Sequence, residues 1–357
     1  MTDANRAAFN NVIGFTFLAS IAVGAVFFIA LEYIAGAVWT TPFRRVLEFL
    51  GMLLIPTLLM AIPLFFKLHD VYHWTHADAV ATDKILQAKA PYLNEMSFMT
   101  RFVIFMVLWL AFYFIFRQNS LKQDGNKDQK LTKKNIALAA AFIPVLAISI
   151  SLFSIDWLMS LEPHWFSTMF GVYYFTGTIL TALAVTTYFV VSLSQKGYFF
   201  KGINENHYYS FGALMFGLLS FWAYIAFSQF MLIWYANLPE ENFWYIERWQ
   251  HGWEYVSIAI TLIHFWIPYF MLVSRPSKMN PANLKRMAAL LVFAHFLDLY
   301  WLVMPTYNNA PVFGYHELAF PVLCIGLIIV FFALQAKRFN LVPVGDPKLQ
   351  RGIDFHL

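Results

Sequence analysis

His295 and Asp298 stand three residues apart in AHFLDLYWLVMP, an otherwise apolar run. Positions i and i+3 share a helix face, so an imidazole and a carboxyl would meet the same neighbours. Both fall about 11 to 14 residues into their apolar segment, near the middle of a membrane at about 1.5 Å per residue. His264 lies at similar depth in the preceding segment. Imidazole titrates near neutral pH and burial moves carboxyls towards it, so the three have the chemistry of a proton relay. Glu32 near one end of the first segment and Asp156 near one end of the fourth are the matching entrance and exit groups. The competing reading is structural: His295 and Asp298 satisfy each other and nearby tyrosines, and His264 is a packed core histidine. Burying ionisable groups at this depth is costly, so either role requires specific partners.

Other clusters suggest binding rather than proton transfer. In SFWAYIAFSQFMLIWYANLPEE, residues 220–241, Ser228 and Gln229 interrupt an aromatic helix that Trp234 anchors. Aromatic walls with one or two hydrogen-bonding groups suit a quinone headgroup; the plainer reading is an interfacial belt. His69, Asp70, His73 and His76 share one loop. His69 and His73, at i and i+4, have the spacing of metal ligands on one helix face, but no third ligand follows at fixed spacing. They read instead as a partner-facing cluster, with Glu162 and His164 in LEPHWF beside them, and no metal is assigned. Five threonines between 176 and 187 read as helix-packing hydroxyls. The lone cysteine, Cys324, excludes an intrachain disulfide and a cysteine-ligated iron–sulfur cluster, and no C-x-x-C-H for covalent haem occurs. Neither a phosphate-binding glycine loop nor a nucleophile elbow is present, and nothing supports nucleic-acid binding.

The elements that must position these residues are membrane helices. Hydrophobic residues make up 60% of the 357 and charged residues 12%, half the usual charged share of a soluble domain. Nine segments are long and apolar enough to span about 30 Å of hydrocarbon: roughly 12–37, 47–67, 101–117, 135–160, 167–193, 209–236, 252–274, 284–304 and 317–336. Strand-like alternation is absent, so the expectation is an all-α polytopic membrane protein. No cleavable signal peptide is legible in MTDANRAAFNN. Basic residues gather in alternate links: Arg44 and Arg45, the 117–134 stretch, Lys196 and Lys201, the 275–286 stretch and the tail. The other links carry Glu162 and Glu240, Glu241 and Glu247 against Arg248. Basic loops face the cytoplasm, which puts the N-terminus outside and the C-terminus inside. The 68–100 loop then lies outside as a docking surface. Asp156 with Pro163, and Asp298 with Pro305, repeat at the same spacing in the fourth and eighth segments. The chain therefore divides into two four-helix bundles, 1–160 and 161–305, and a peripheral helix with tail, 306–357.

Three blocks in order, SIDWLMSLEPHWFSTMFG, FWAYIAFSQFMLIWYANLPEE and AHFLDLYWLVMP, resemble the second large membrane subunit (ActF type) of bacterial alternative complex III, a quinol:electron-acceptor oxidoreductase. That subunit is similar to the polysulfide-reductase membrane anchors, and the likeness runs from the first segment to the tail. The resemblance implies two four-helix bundles in the bacterial inner membrane. It implies a sister membrane subunit in which quinol is oxidised beside an iron–sulfur cluster, and partner subunits on the outer face carrying iron–sulfur clusters and c-type haems. This chain would have lipids around it and no covalently bound cofactor, with a proton-conducting role for Asp156, His295 and Asp298, and Glu162 and His164 at the outer mouth. Family members carry ten helices; nine are legible here, without the N-terminal one. Two alternatives of other classes stand beside this: an independent secondary transporter, which predicts interrupted helices at matching positions in the two halves, and a chain that itself binds quinol.

Overall fold

The computed structural model describes residues 3–200 and 202–357; Lys201 of the basic set lies outside them. Among these residues the chain is all-α, with nine helices long and apolar enough to cross a membrane. They are α1 (Asp3–Ala35), α2 (Thr41–Phe65), α3 (Glu95–Asn126), α4 (Gln129–Leu161), α5 (Phe170–Gln195), α6 (Glu205–Ala236), α7 (Trp253–Leu272), α8 (Pro281–Tyr307) and α9 (Tyr315–Arg338). Several run past the apolar segments because polar side chains start them. Asn94, Asp128 and Asn280 accept from the first backbone N–H groups of α3, α4 and α8, and Asn204 forms a capping box with His207 at α6.

α1 is the axis. Apolar all round, it is buried along nearly its whole length, as such a helix must be. It packs against α2 and α4 on one side and α5 and α8 on the other. The first bundle closes through α3 on α4, the second through α5 on α6 and α8, and α1 with α5 forms the seam. At Gly24 a Cβ would stand 2.5 Å from that of Ala182 and 2.8 Å from the Thr178 carbonyl, so α1 and α5 cross at backbone distance. α9 lies at the periphery on α1 and α2 and buries few residues, Cys324 among them.

Two spans are irregular. α2 breaks between Gly51 and Leu54, and α7 widens into a π turn at Thr261–Trp266. These are the second and seventh spans, not matching positions of the two bundles.

The links pack into two faces. On the acidic face, Lys89 Nζ donates to the Pro163 carbonyl, and the Trp165 indole donates to the Glu241 carbonyl at 3.0 Å and stacks on Trp244 at 4.4 Å. The tail crosses the basic face, where the His207 ring meets the Gly352 carbonyl at 2.8 Å and Asn204 donates to that of Phe355. Arg44 and Arg45 are not loop cations. They sit inside the first turns of α2, 1% and 0% exposed, because four carboxylates surround them.

Candidate functional site

The second bundle and α1 enclose a group of polar side chains. Gly177 of α5 makes room for His295, whose ring atoms would stand 2.8 and 2.9 Å from a Cβ there. The imidazole Nε2 is 3.1 Å from the Ser20 hydroxyl of α1, and that hydroxyl is 3.1 Å from the hydroxyl of Tyr174. Tyr174 in turn donates to the Thr16 carbonyl at 2.8 Å. His295 Nδ1 is buried with no hydrogen-bond partner.

One turn along α8, Asp298 is 1% exposed and accepts a short hydrogen bond from the Tyr173 hydroxyl of α5. The Trp222 indole of α6 faces the same carboxyl without closing a hydrogen bond within ordinary limits. Trp222 also stacks on His264, centroids 3.8 Å apart, and His264 lies 6.4 Å from His295 ring to ring. His264 is fully buried within the π turn, and both its nitrogens lack partners. π turns of this kind cluster at functional positions. The structure thus brings His264, His295 and Asp298 to neighbouring positions around Trp222 and Tyr173. However, His295 and Asp298 bond separately to Ser20 and Tyr173 rather than to each other. Buried polar atoms normally find partners. Among the described residues, three unpartnered imidazole nitrogens thus lie beside a carboxyl that no guanidinium or ammonium reaches.

A cavity of about 880 Å³ opens between α6 and α7 next to this group. Trp222 forms part of its wall, with Phe227, Phe265, Trp266 and Tyr269 as apolar sides and Ser220, Tyr245, Ser257 and Thr261 as hydroxyls. Of the expected quinone-pocket residues, none lines it. Ser228 bonds back to the Ile225 carbonyl of its own helix, Gln229 joins Ser167 at 3.2 Å to Tyr245 at 3.1 Å, and Trp234 is 67% exposed. The same helix borders this cavity, through the face of Ala223, Ala226 and Phe230.

Asp156 and Glu32 are held differently. Arg101 of α3 grips Asp156 with two parallel bonds of 2.8 and 2.9 Å, donates to the Tyr92 carbonyl and stacks 3.8 Å over the Tyr92 ring. Such a fork fixes the carboxylate's position and pairs it with a cation. Glu32 accepts from Arg44 at 2.8 Å and Thr41 at 3.0 Å. Among the described residues, no hydrogen bond or ring contact joins either one to His264, His295 or Asp298.

On the acidic face, His164 Nε2 meets Asp83 at 2.5 Å and Nδ1 lies 3.4 Å from Glu162. The Asp83 carboxylate raises the His164 pKa and is itself lowered by that bond and by the Ile85 N–H. His69 and His73 do not share a helix face: the helix ends at Val71, and Tyr72 is extended at φ −114°, ψ 113°. His69 turns instead to Thr75 at 2.9 Å and Glu95 at 3.3 Å. Among the described residues no group of three His, Cys, Asp or Glu is placed to hold a metal.

Arg101, Tyr173, Gly177, Ser20 and Trp222 carry no signal in the sequence, where they pass for ordinary interface and packing residues. Arg248 is another such residue. It is 1% exposed, bonded to the carbonyls of Trp244, Trp301 and Leu302, and burial lowers its pKa to about 9. No protein-family model matches this chain, and no curated protein matches it.

Proposed function

We propose that this chain is an integral subunit of a respiratory quinol:electron-acceptor oxidoreductase of the alternative complex III kind, and that it conducts protons through His264, His295 and Asp298. The observation that carries the proton role is the buried group itself, with three unpartnered imidazole nitrogens beside a carboxyl held by a tyrosine. An intramembrane ionisable group of this sort is by default functional. The three sequence blocks named above support the kind of complex. A sister membrane subunit and partners with iron–sulfur clusters and c-type haems go with that reading. So does a bacterial inner membrane location with the N-terminus outside and the basic face in the cytoplasm.

Asp298→Asn in the assembled complex keeps an acceptor for Tyr173 and removes the titratable carboxyl. In vesicles, protons translocated per electron should fall while quinol oxidation continues; an unchanged ratio would sink the relay. Purification in mild detergent tests the wider reading, which fails if the chain runs without haem- or cluster-bearing partners.

The 880 Å³ cavity supports a second reading, in which this subunit itself binds quinol. Its apolar walls suit an isoprenoid chain, and the Tyr245 hydroxyl, which accepts from Gln229 and keeps its own proton to donate, suits a headgroup. Ala226→Trp would fill it, and on this reading quinol turnover drops with assembly intact.

A further inference from the structure

Glu32 has one carboxylate oxygen engaged and one free. Oε1 accepts from Arg44 and Thr41; among the described residues Oε2 is buried without any hydrogen-bond partner. The residue is 4% exposed and lines a cavity of about 530 Å³ bounded by α1, the start of α2, α5 and α6. The Thr40 hydroxyl, on the same wall, is also buried and unpartnered. Trp39, Phe43 and Phe211 supply the apolar lining, with Trp39 edge-on to Phe211 at 5.0 Å.

The charge around this cavity is unbalanced. Arg44 pairs with Glu32 at 2.8 Å, Asp346 at 2.6 Å and Glu48 at 3.4 Å, while Arg45 pairs with Glu48 at 2.6 Å and Asp124 at 2.5 Å. Among the described residues two guanidiniums thus serve four carboxylates in ion pairs, and Glu32, with one oxygen unbonded, lines the cavity. A buried carboxylate oxygen without a donor is costly, and the carboxylate's own charge favours a donor that is also a cation. Aromatic walls favour such a cation over an anion or a sugar, because ring faces attract positive charge.

We propose that this cavity binds a small organic cation, a protonated amine carried on an apolar body. Its ammonium N–H groups meet Glu32 Oε2 and the Thr40 hydroxyl, and its body lies against Trp39, Phe43 and Phe211. The assignment does not depend on the chain being a redox-complex subunit.

Phenethylammonium is the probe, titrated calorimetrically into the full-length protein in detergent micelles at neutral pH. Saturable one-site binding is expected, weaker by at least about tenfold in Glu32→Gln, which keeps a hydrogen-bond acceptor but removes the charge. Ala213→Phe fills the cavity from α6 without touching the ion network and should abolish binding; both variants are checked for folding by circular dichroism and size exclusion. Phenethyl alcohol, with the same body and no charge, should bind at least about tenfold more weakly. No saturable binding by the wild type overturns the proposal and leaves the free oxygen to a proton. Equal binding of the alcohol, or unchanged affinity in Ala213→Phe, overturns it as well.

Discussion

α4 and α8 carry the same pair of residues towards the acidic face, an aspartate and a proline seven positions on, and their surroundings treat the two carboxyls oppositely. Asp156 is met by a guanidinium fork from α3. Asp298 receives a tyrosine hydroxyl and no cation. The arginine nearest along the fold, Arg248, spends its donors on the carbonyls of Trp301 and Leu302, one turn beyond Asp298 on the same helix. The prolines differ too: Pro163 follows the end of its helix, whereas Pro305 lies inside α8. A buried charge pair strongly resists loss of one partner, whereas a buried carboxyl bonded only to neutral groups exchanges its proton without breaking an ion pair. One carboxyl is therefore locked to a cation, and the other is held by a neutral donor alone.

Breaking the fixed pair should have the largest effect. Arg101→Met strands Asp156 and should destabilise the protein by about 3–5 kcal/mol, read as a lower apparent melting point in detergent, with most of it regained in Arg101→Met/Asp156→Leu. Were Arg101→Met and Asp298→Asn to lower the melting point equally, the contrast would be wrong. A middle effect is expected of Tyr173→Phe. It removes the donor to Asp298 and should cost about 1–3 kcal/mol. It should also shift the carboxyl stretch of Asp298 in the infrared; an unshifted band would show that the tyrosine does not hold the carboxyl. The smallest effect belongs to the surface pair of Asp83 and His164. The raised His164 pKa stabilises the pairing below the ordinary histidine value, and that contribution is lost as pH rises through the raised value. The lowered Asp83 pKa keeps the pairing until pH falls below the ordinary carboxylate range. The hydrogen-exchange protection factors over 83–89, taken against the intrinsic rate at each pH, should fall by about twofold on the alkaline side of this window. A flat profile would mean that the bond does not hold the loop.

Much of the fold was legible because spanning a membrane constrains sequence so heavily. Nine apolar runs mark nine helices, and carboxyls inside such runs stand out at once, as Asp156 and Asp298 do. Helix ends were less legible: α3 extends from Glu95 to Asn126, far past the apolar 101–117, since Asn94 starts it and hydropathy does not register a polar helical turn. Partners were invisible for a different reason. Arg101 looks like an interface cation and Arg44 and Arg45 look like loop cations, and only the approach of distant helices shows which carboxylates they meet. The i, i+4 spacing of His69 and His73 carries no metal reading in the sequence, and Tyr72 interrupts the helix that such a reading would need. Ser228 and Gln229 were polar enough to attract notice, yet the cavity lies on the face of α6 beside theirs.

The π turn in α7 holds one residue more than an α path between the same ends would need. Moving that surplus along the helix would rotate the stretch it passes by about 100° and advance it by about 1.5 Å, with both ends of the span left in place. His264 and the cavity residues Thr261, Phe265 and Trp266 sit on that stretch. A single-residue deletion there has a ready accommodation, reversion to α geometry, whereas the same deletion in the middle of α8 would swing Asp298 or His295 off its partner. α7 is in this sense the slack strand of the bundle, and α8 the taut one.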